Sequence, residues 1–224
     1  MIHMRKDLLP TRWQKSDGTA GCQLMVDAIS DDDAPVDASV NHDTVTAYST
    51  THINGELSFT GNNPSGIRIE TSTVVTGYPF TLGAWTKALD GSSIPLALVS
   101  VSDFDVMYFI NIDGGVTRIA ARNTDFEAST GSTVLNDTWC HLCGVFESNT
   151  SRKLYLNGVL DATNTVNVSY NVGVDRICVG WLGDHTPSYN KCVVKSPCIF
   201  DYAMPVNQIR ALANLTRPRG VAAI

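Results

Sequence analysis

The chain has 224 residues, a formal net charge of −6, six cysteines and only 17% charged residues. That length can bury a sizeable core, as one large sandwich or two small domains. The acidic balance, with no basic-aromatic patch, argues against a nucleic-acid binder.

Residues 1–50 differ in texture from the rest of the chain and are expected to form an N-terminal arm that adds one or two strands to the main body or docks on a partner. Leu8-Leu-Pro-Thr-Arg-Trp13 is a short apolar segment, and Asp17-Gly18 marks a turn. Cys22–Val26 and Thr44–Tyr48 have strand character. Between them, Ser30–Asp37 reads as an exposed loop. Its Asp31-Asp-Asp33 run lacks the spaced oxygen ligands of a calcium loop, so solvation is the expectation there. Met1–Asp7 has no apolar stretch of signal-peptide type, and no run approaches the length of a membrane span.

Residues 51–224 are expected to form one all-β domain. Strands are predicted at about 57–60, 67–71, 79–88, 95–102, 105–113, 116–122, 138–147, 152–157, 159–165, 175–180 and 191–202. Gly61-Asn-Asn-Pro64, Asp90-Gly-Ser-Ser93 and Asp113-Gly-Gly115 punctuate them. The richest stretch is Asn136–Thr165. There Cys140, Leu142, Gly144 and Phe146 share one face of a strand, and Trp139, His141, Cys143 and Val145 share the other. Both faces are apolar, which predicts a strand covered on both sides. Asn157-Gly158 predicts a tight hairpin, because both central residues of a type I′ turn need positive φ. Phe80, Trp85, Phe109, Ile112, Trp139, Phe146, Leu154 and Leu156 are the expected core. Pro205 suits the first turn of a helix over about 205–214, with Val206, Ile209, Leu212 and Leu215 on one face and Thr216-Arg-Pro-Arg-Gly220 as its stop. The pattern as a whole predicts an antiparallel jelly-roll β-sandwich with one short C-terminal helix.

Four segments in order carry a family resemblance. They are Leu57–Asn63 with Ile67-Arg-Ile69, Tyr78–Lys87, the Trp139/His141 strand with Leu154-Tyr-Leu-Asn-Gly158, and Phe200–Leu212. Together they resemble the laminin-G-like, or concanavalin-A-like, jelly-roll superfamily over about residues 55–215. The resemblance implies a sandwich, but no single activity, since lectins, glycosidases, adhesion modules and virion proteins share that fold. Relatives often have an acidic Gly-x-Ile-Asp-like run before the helix. Val193-Val-Lys-Ser-Pro197 departs from it, which weakens any transfer of a metal or sugar site.

Cys140 and Cys143 point to opposite faces of one strand, and Cys192 and Cys198 would lie about 20 Å apart on another, so neither pair bridges itself. Buried free thiols are expected, with a cross-strand disulfide or a zinc knuckle as the alternatives. Asn136, Asn149, Asn167 and Asn214 open glycosylation-type triplets, which are expected to be silent without a secretory signal.

A glycosidase of this fold would need acidic residues alternating on one strand, with acid and nucleophile about 5 Å apart. The four glutamates, Glu56, Glu70, Glu127 and Glu147, form no such cluster, and no other catalytic motif is present. The chain is therefore expected not to be an enzyme. Glycan binding needs an aromatic platform beside amide and carboxylate groups. The stretch 180–190 offers Trp181, Asp184, His185, Tyr189 and Asn190 on a rim loop, against a bland reading in which Trp181 tucks under the loop. No cofactor is expected. Calcium is a weaker candidate, through Asp103, Asp105 and Asp113 converging across a hairpin.

Taken together, these features predict a non-enzymatic virion structural protein, made in a host cytoplasm: a phage capsid decoration, fibre or attachment protein. Its partners would be other virion proteins, copies of itself in a homo-oligomer, and a cell-surface glycan. The alternative is an extracellular, stand-alone carbohydrate-binding module, with calcium as an optional aid; an unusual glycosidase is third.

Overall fold

The computed structural model describes residues 21–27, 35–37, 39, 44–48, 50–53, 55–62, 65–70, 75–100, 105–170, 174–182 and 191–224. In chain order its strands are β1 (Cys22–Asp27), β2 (Val36–Asp37), β3 (Thr46–Tyr48), β4 (Thr50–Ile53), β5 (Glu56–Thr60), β6 (Gly66–Glu70), β7 (Phe80–Ala88) and β8 (Ser93–Val99). Next come β9 (Val106–Asp113), β10 (Val116–Asn123), β11 (Asp125–Thr133), β12 (Cys140–Ser148), β13 (Ser151–Leu156), β14 (Val159–Asn164), β15 (Arg176–Val179) and β16 (Lys191–Phe200). Helix α1 (Val206–Thr216) succeeds the last strand.

Two antiparallel sheets form the expected jelly-roll sandwich. The first runs β14-β13-β12-β7-β16-β1-β2, with β5 and β4 branching from β16, and the second runs β11-β10-β9-β8-β15-β6-β3. The branch has a local cause. Ser196 has φ +48° beside Pro197, and this bulge inserts one extra residue between Lys195, which faces Trp85, and Cys198, which faces Gly83. Before the bulge β16 pairs with β5; beyond it, with β1. The inserted residue also reverses parity. Cys192 and Val194 face the inter-sheet core, whereas Cys198 and Phe200 face outward under α1. Residues 22–27 lie inside the first sheet, and Leu24 and Val26 join the core.

The main core lies between the sheets, with Leu82, Leu142, Phe146 and Leu154 from one and Ile67, Leu96, Tyr108, Ile110 and Ile119 from the other. Each such side chain contributes about 1.5–3 kcal/mol by leaving water. A second cluster fills the gap between the first sheet and α1, where Met25, Cys143, Val145, Cys198 and Phe200 meet Ile209 and Leu212. This is why β12 is apolar on both faces. Asn157 (φ +50°) and Gly158 (φ +73°) make the predicted hairpin between β13 and β14.

Three strands fall outside the sequence-based expectation: β2, β4 and β11. The nine residues of β11 are mostly exposed and carry no apolar period, yet the strand pairs with β10 from Asn123↔Asp125 to Val116↔Thr133. Its free side is tied to β14 by the Ser129 hydroxyl, which donates to the Thr163 carbonyl at 3.0 Å, and by a carboxylate. Asp161 accepts from the Ser132 amide (3.0 Å), the Ser132 hydroxyl (2.5 Å) and the buried Thr117 hydroxyl (2.5 Å). Two expected core residues are corrected. Trp139 is half-buried just before β12, and Leu156 is only partly buried beside the core.

Candidate recognition surface

Of the two readings of the stretch 180–190, the structure gives its tryptophan the bland one. Trp181 is 3% exposed, and its indole N–H donates to the Ile67 carbonyl at 3.1 Å. Its ring lies where a Cβ on Gly66 would come within 2.5 Å, so Gly66 is what lets it seat. Trp181 is thus a rivet on the outer face of the second sheet, beside Phe109, Met107 and Cys178. Asp184, His185, Tyr189 and Asn190 lie outside the described residues, as do Asp103 and Asp31-Asp-Asp33.

Two of the three calcium candidates are described. Asp105 and Asp113 flank opposite ends of β9, about 25 Å apart at strand rise. Each is ion-paired across the hairpin, Asp105 with Arg122 and Asp113 with Arg118. Among the described residues no three His, Cys, Asp or Glu side chains gather as a metal site.

The glutamates stay apart. They lie on four strands, β5, β6, β11 and β12, and none faces another across a ladder. Glu70 pairs with Arg176 at 2.8 Å and Arg68 at 3.0 Å, and Glu147 with Lys153 at 2.7 Å. The Lys153 ammonium and the Ser151 hydroxyl hold the Glu147 carboxyl below its ordinary range, against the upward pull of burial. A carboxyl held ionised in this way is a poor general acid.

His141 belongs to the packing. It is 1% exposed, stacked edge-on to Trp85 at 5.4 Å, and burial pushes its pKa down to about 3. Trp85 in turn donates its indole N–H to the Ala213 carbonyl of α1 at 2.9 Å. The helix therefore covers the outer row formed by Trp85, Gly83 and Thr81 on β7. The next outward residue of that strand is Lys87.

Beside Lys87 stands Trp139. The Lys87 ammonium lies 5.6 Å from the indole centroid and 2.9 Å from the Asp137 carboxylate. The Asp137 side chain is 73% exposed and that of Lys87 23%. The backbone here is fixed: the Asp137 N–H donates to the Ala88 carbonyl at 2.8 Å, and Asp137 sits in the left-handed region at φ +53°. No hydrogen bond engages the Trp139 indole N–H among the described residues. Sequence reasoning places Trp139 in the core. The signal that could have relocated it is its parity with Lys87, because a lysine on the same face of the neighbouring strand marks where cover ends.

A family model described as the concanavalin A-like lectin/glucanases superfamily matches residues 60–210. Among solved structures, the botulinum neurotoxin serotype G binding domain is similar, with a TM-score of 0.69 at 13% identity over 85% of this chain and 50% of that one. The serotype D binding domain gives 0.67 at 12% over 86% and 51%. The binding domain of Paraclostridial Mosquitocidal Protein 1 gives 0.68 at 13% over 87% and 52%. These likenesses are of fold, and the chain spans about half the length of each domain. No curated protein matches it by sequence.

Proposed function

Since the chain belongs to the concanavalin A-like lectin/glucanase superfamily, we propose that it is a non-enzymatic recognition module that attaches to a cell-surface receptor. The observation that carries this is the dispersal of its glutamates over four strands, against a rigid aromatic and ion-paired cluster on an outer sheet face. The fold neighbours that are toxin binding domains support the same reading. Rim residues Asp184, His185, Tyr189 and Asn190 remain candidates for further contacts, and calcium is not required by this reading.

The finer part of the proposal puts the module on a virus particle, as a bacteriophage capsid decoration, fibre or attachment protein held by other virion proteins or by its own copies. Its support is that all six cysteines are free and buried, which suits assembly in a reducing cytoplasm. No described helix is long and apolar enough to cross a membrane.

Two measurements test the proposal. Labelled full-length protein is applied to a glycan array and to intact cells, with and without EDTA, alongside a β-glucan hydrolysis assay. Binding without hydrolysis is expected; hydrolysis, or silence on both glycans and cells, refutes the recognition reading. For the finer part, mass spectrometry of purified particles against soluble lysate should recover the protein with particles. Recovery only as free protein refutes the virion placement.

A further inference from the structure

We propose that copies of this chain associate head to tail, the ridge formed by α1 and the β13–β14 hairpin of one copy lying on the acidic, aromatic start of β11 in the next; this rests on the reading that the module is held by its own copies.

The ridge is both basic and apolar. No carboxylate lies on α1. Arg210 on the helix, and Arg217 and Arg219 just beyond it, have no ion pair among the described residues, whereas the ion-paired Lys and Arg side chains lie on β6, β7, β10, β13 and β15. In a chain of net charge −6 that is a local excess of positive charge. Between these cations Val159, Leu160, Val206, Leu215 and Ile224 are 37–60% exposed, five of the nine large apolar side chains exposed among the described residues. They form one surface. Arg210 Nε donates to the Gly158 carbonyl at 3.0 Å, and Leu160 lies opposite Tyr155, which packs on the cluster beneath α1. Val206 and Arg210 are one helical turn apart, and the Asn214 side chain clasps the Ile224 backbone by bonds of 3.0 and 2.6 Å.

The complement stands on the other outer face. Phe126 is 46% exposed, with its ring 6.1 Å from that of Phe109 in the cluster outside the second sheet. Its neighbours on β11 are Asp125, exposed, and Glu127, half-buried, and neither has an ion pair among the described residues. An aromatic anchor between carboxylates matches aliphatic side chains between guanidinium groups. The two patches lie on opposite outer faces, one per sheet, so a single copy does not satisfy itself. A two-fold contact through the ridge alone would set arginine against arginine. The remaining arrangement is heterologous and repeats along a row or closes into a ring. With one aromatic anchor the contact belongs to the weak class, so it acts where copies are concentrated, as on a particle surface.

The test is sedimentation velocity of the full chain over a concentration series to about 1 mM, at about 0.05 and 0.5 M salt. Wild type should sediment faster as concentration rises at low salt, and markedly less so at high salt. Leu215→Ser with Arg219→Glu disables the ridge, and Phe126→Ser with Asp125→Asn disables the β11 patch. Each pair should weaken association by about tenfold or more without changing the melting temperature. Mixed one to one, the two variants should form a dimer and nothing larger, because one intact ridge then meets one intact β11 patch. Arg219→Glu alone changes an exposed side chain beyond the helix; it should lower low-salt association several-fold and keeps the test valid if a double variant fails to fold. Wild type that stays monomeric throughout, association that neither variant weakens, or a mixture that grows beyond a dimer overturns the inference. So does a monomer that binds phosphatidylglycerol vesicles through Arg219, which assigns the ridge to an anionic bilayer. A monomeric chain recovered in purified particles keeps the recognition reading and loses this contact, whereas a self-associating chain absent from particles loses the virion placement and keeps the contact.

Discussion

Arg152 offers the most direct check on how the sandwich is held. It is 0% exposed on β13, opposite Phe146 and Asn164, and its guanidinium donates to the Asn149 carbonyl at 3.0 Å, the Val166 carbonyl at 2.6 Å and the Asn164 side-chain oxygen. It therefore ties the β12–β13 turn to the chain leaving β14. Arg152→Met keeps length and apolar contact but deletes all three bonds. Hydrogen bonds to a charged group are worth about 1.5–3 kcal/mol each, and the variant no longer carries the desolvation cost of a buried cation, which offsets much of that sum. The balance predicts a loss of about 2–4 kcal/mol. In a domain of this size each kcal/mol lowers the melting temperature by about 2–4 °C, so a drop of roughly 4–16 °C is expected. Arg152→Lys, with one ammonium in place of a fork, should fall between. Urea denaturation of the three proteins, fitted with a common slope, measures the difference. If Arg152→Met unfolds at the wild-type midpoint, the guanidinium is not pinning the turn and the reasoning fails.

Three other outcomes are expected from the same structure. His141 is neutral when folded, with its pKa pushed from 6.5 to about 3, so the unfolded chain takes up a proton between those values that the folded chain does not. Its contribution is complete above about pH 6.5 and is lost at up to about 1.4 kcal/mol per pH unit as the pH falls toward 3. The urea midpoint of His141→Leu should accordingly depend less on pH over that window, and equal slopes would refute this. Burial pushes the thiols of Cys22, Cys140 and Cys192 up to about 12 and also raises those of Cys143 and Cys198. A thiol reagent at pH 8 should find none in the native protein and six after denaturation, and rapid native reaction would contradict the burial. Asp161→Ala removes three bonds joining β14 to β10 and β11 and should cost about 1–3 kcal/mol. It should also speed hydrogen exchange at the Ser132 amide, and unchanged exchange would show that the carboxylate is not the tie.

The fold is legible wherever side chains record their surroundings. Strands buried on one or both faces, such as β7, β9, β12 and β16, carry apolar periods because each position must match a core. Asn157-Gly158 announces its hairpin because few other pairs accept two positive φ values. By contrast β11 is invisible to periodicity. Its stability comes from main-chain pairing with β10 and from bonds to Asp161 and Thr163 on a strand some 30 residues away, and neither leaves an apolar period within Asp125–Thr133. The bulge at Ser196-Pro197 escapes sequence reasoning for a different reason. The predicted strand across 191–202 is correct in outline, yet one inserted residue reverses which side of it faces α1.

The two tryptophans show why the site is harder to read than the fold. Trp181 lies in a stretch rich in Gly, Asp, His and Asn, and Trp139 in a run of apolar residues, so composition leaves the first between surface and interior and assigns the second to the core. Composition averages over neighbours along the chain, whereas cover is decided by neighbours across the sheet. Trp181 is buried because Gly66, 115 residues earlier, leaves room for an indole. Trp139 is only half-buried because α1 reaches Trp85 on the adjoining strand and not Lys87, one outward position further on. A residue's place at the end of a covered strand thus depends on how far a helix well downstream extends. Only the cross-strand register, Cys140↔Thr86 and His141↔Trp85, converts that reach into exposure. The same register makes the Trp139 cluster a rigid feature. Its position is set by paired backbone on both strands, and a surface fixed in that way is suited to recognition without rearrangement.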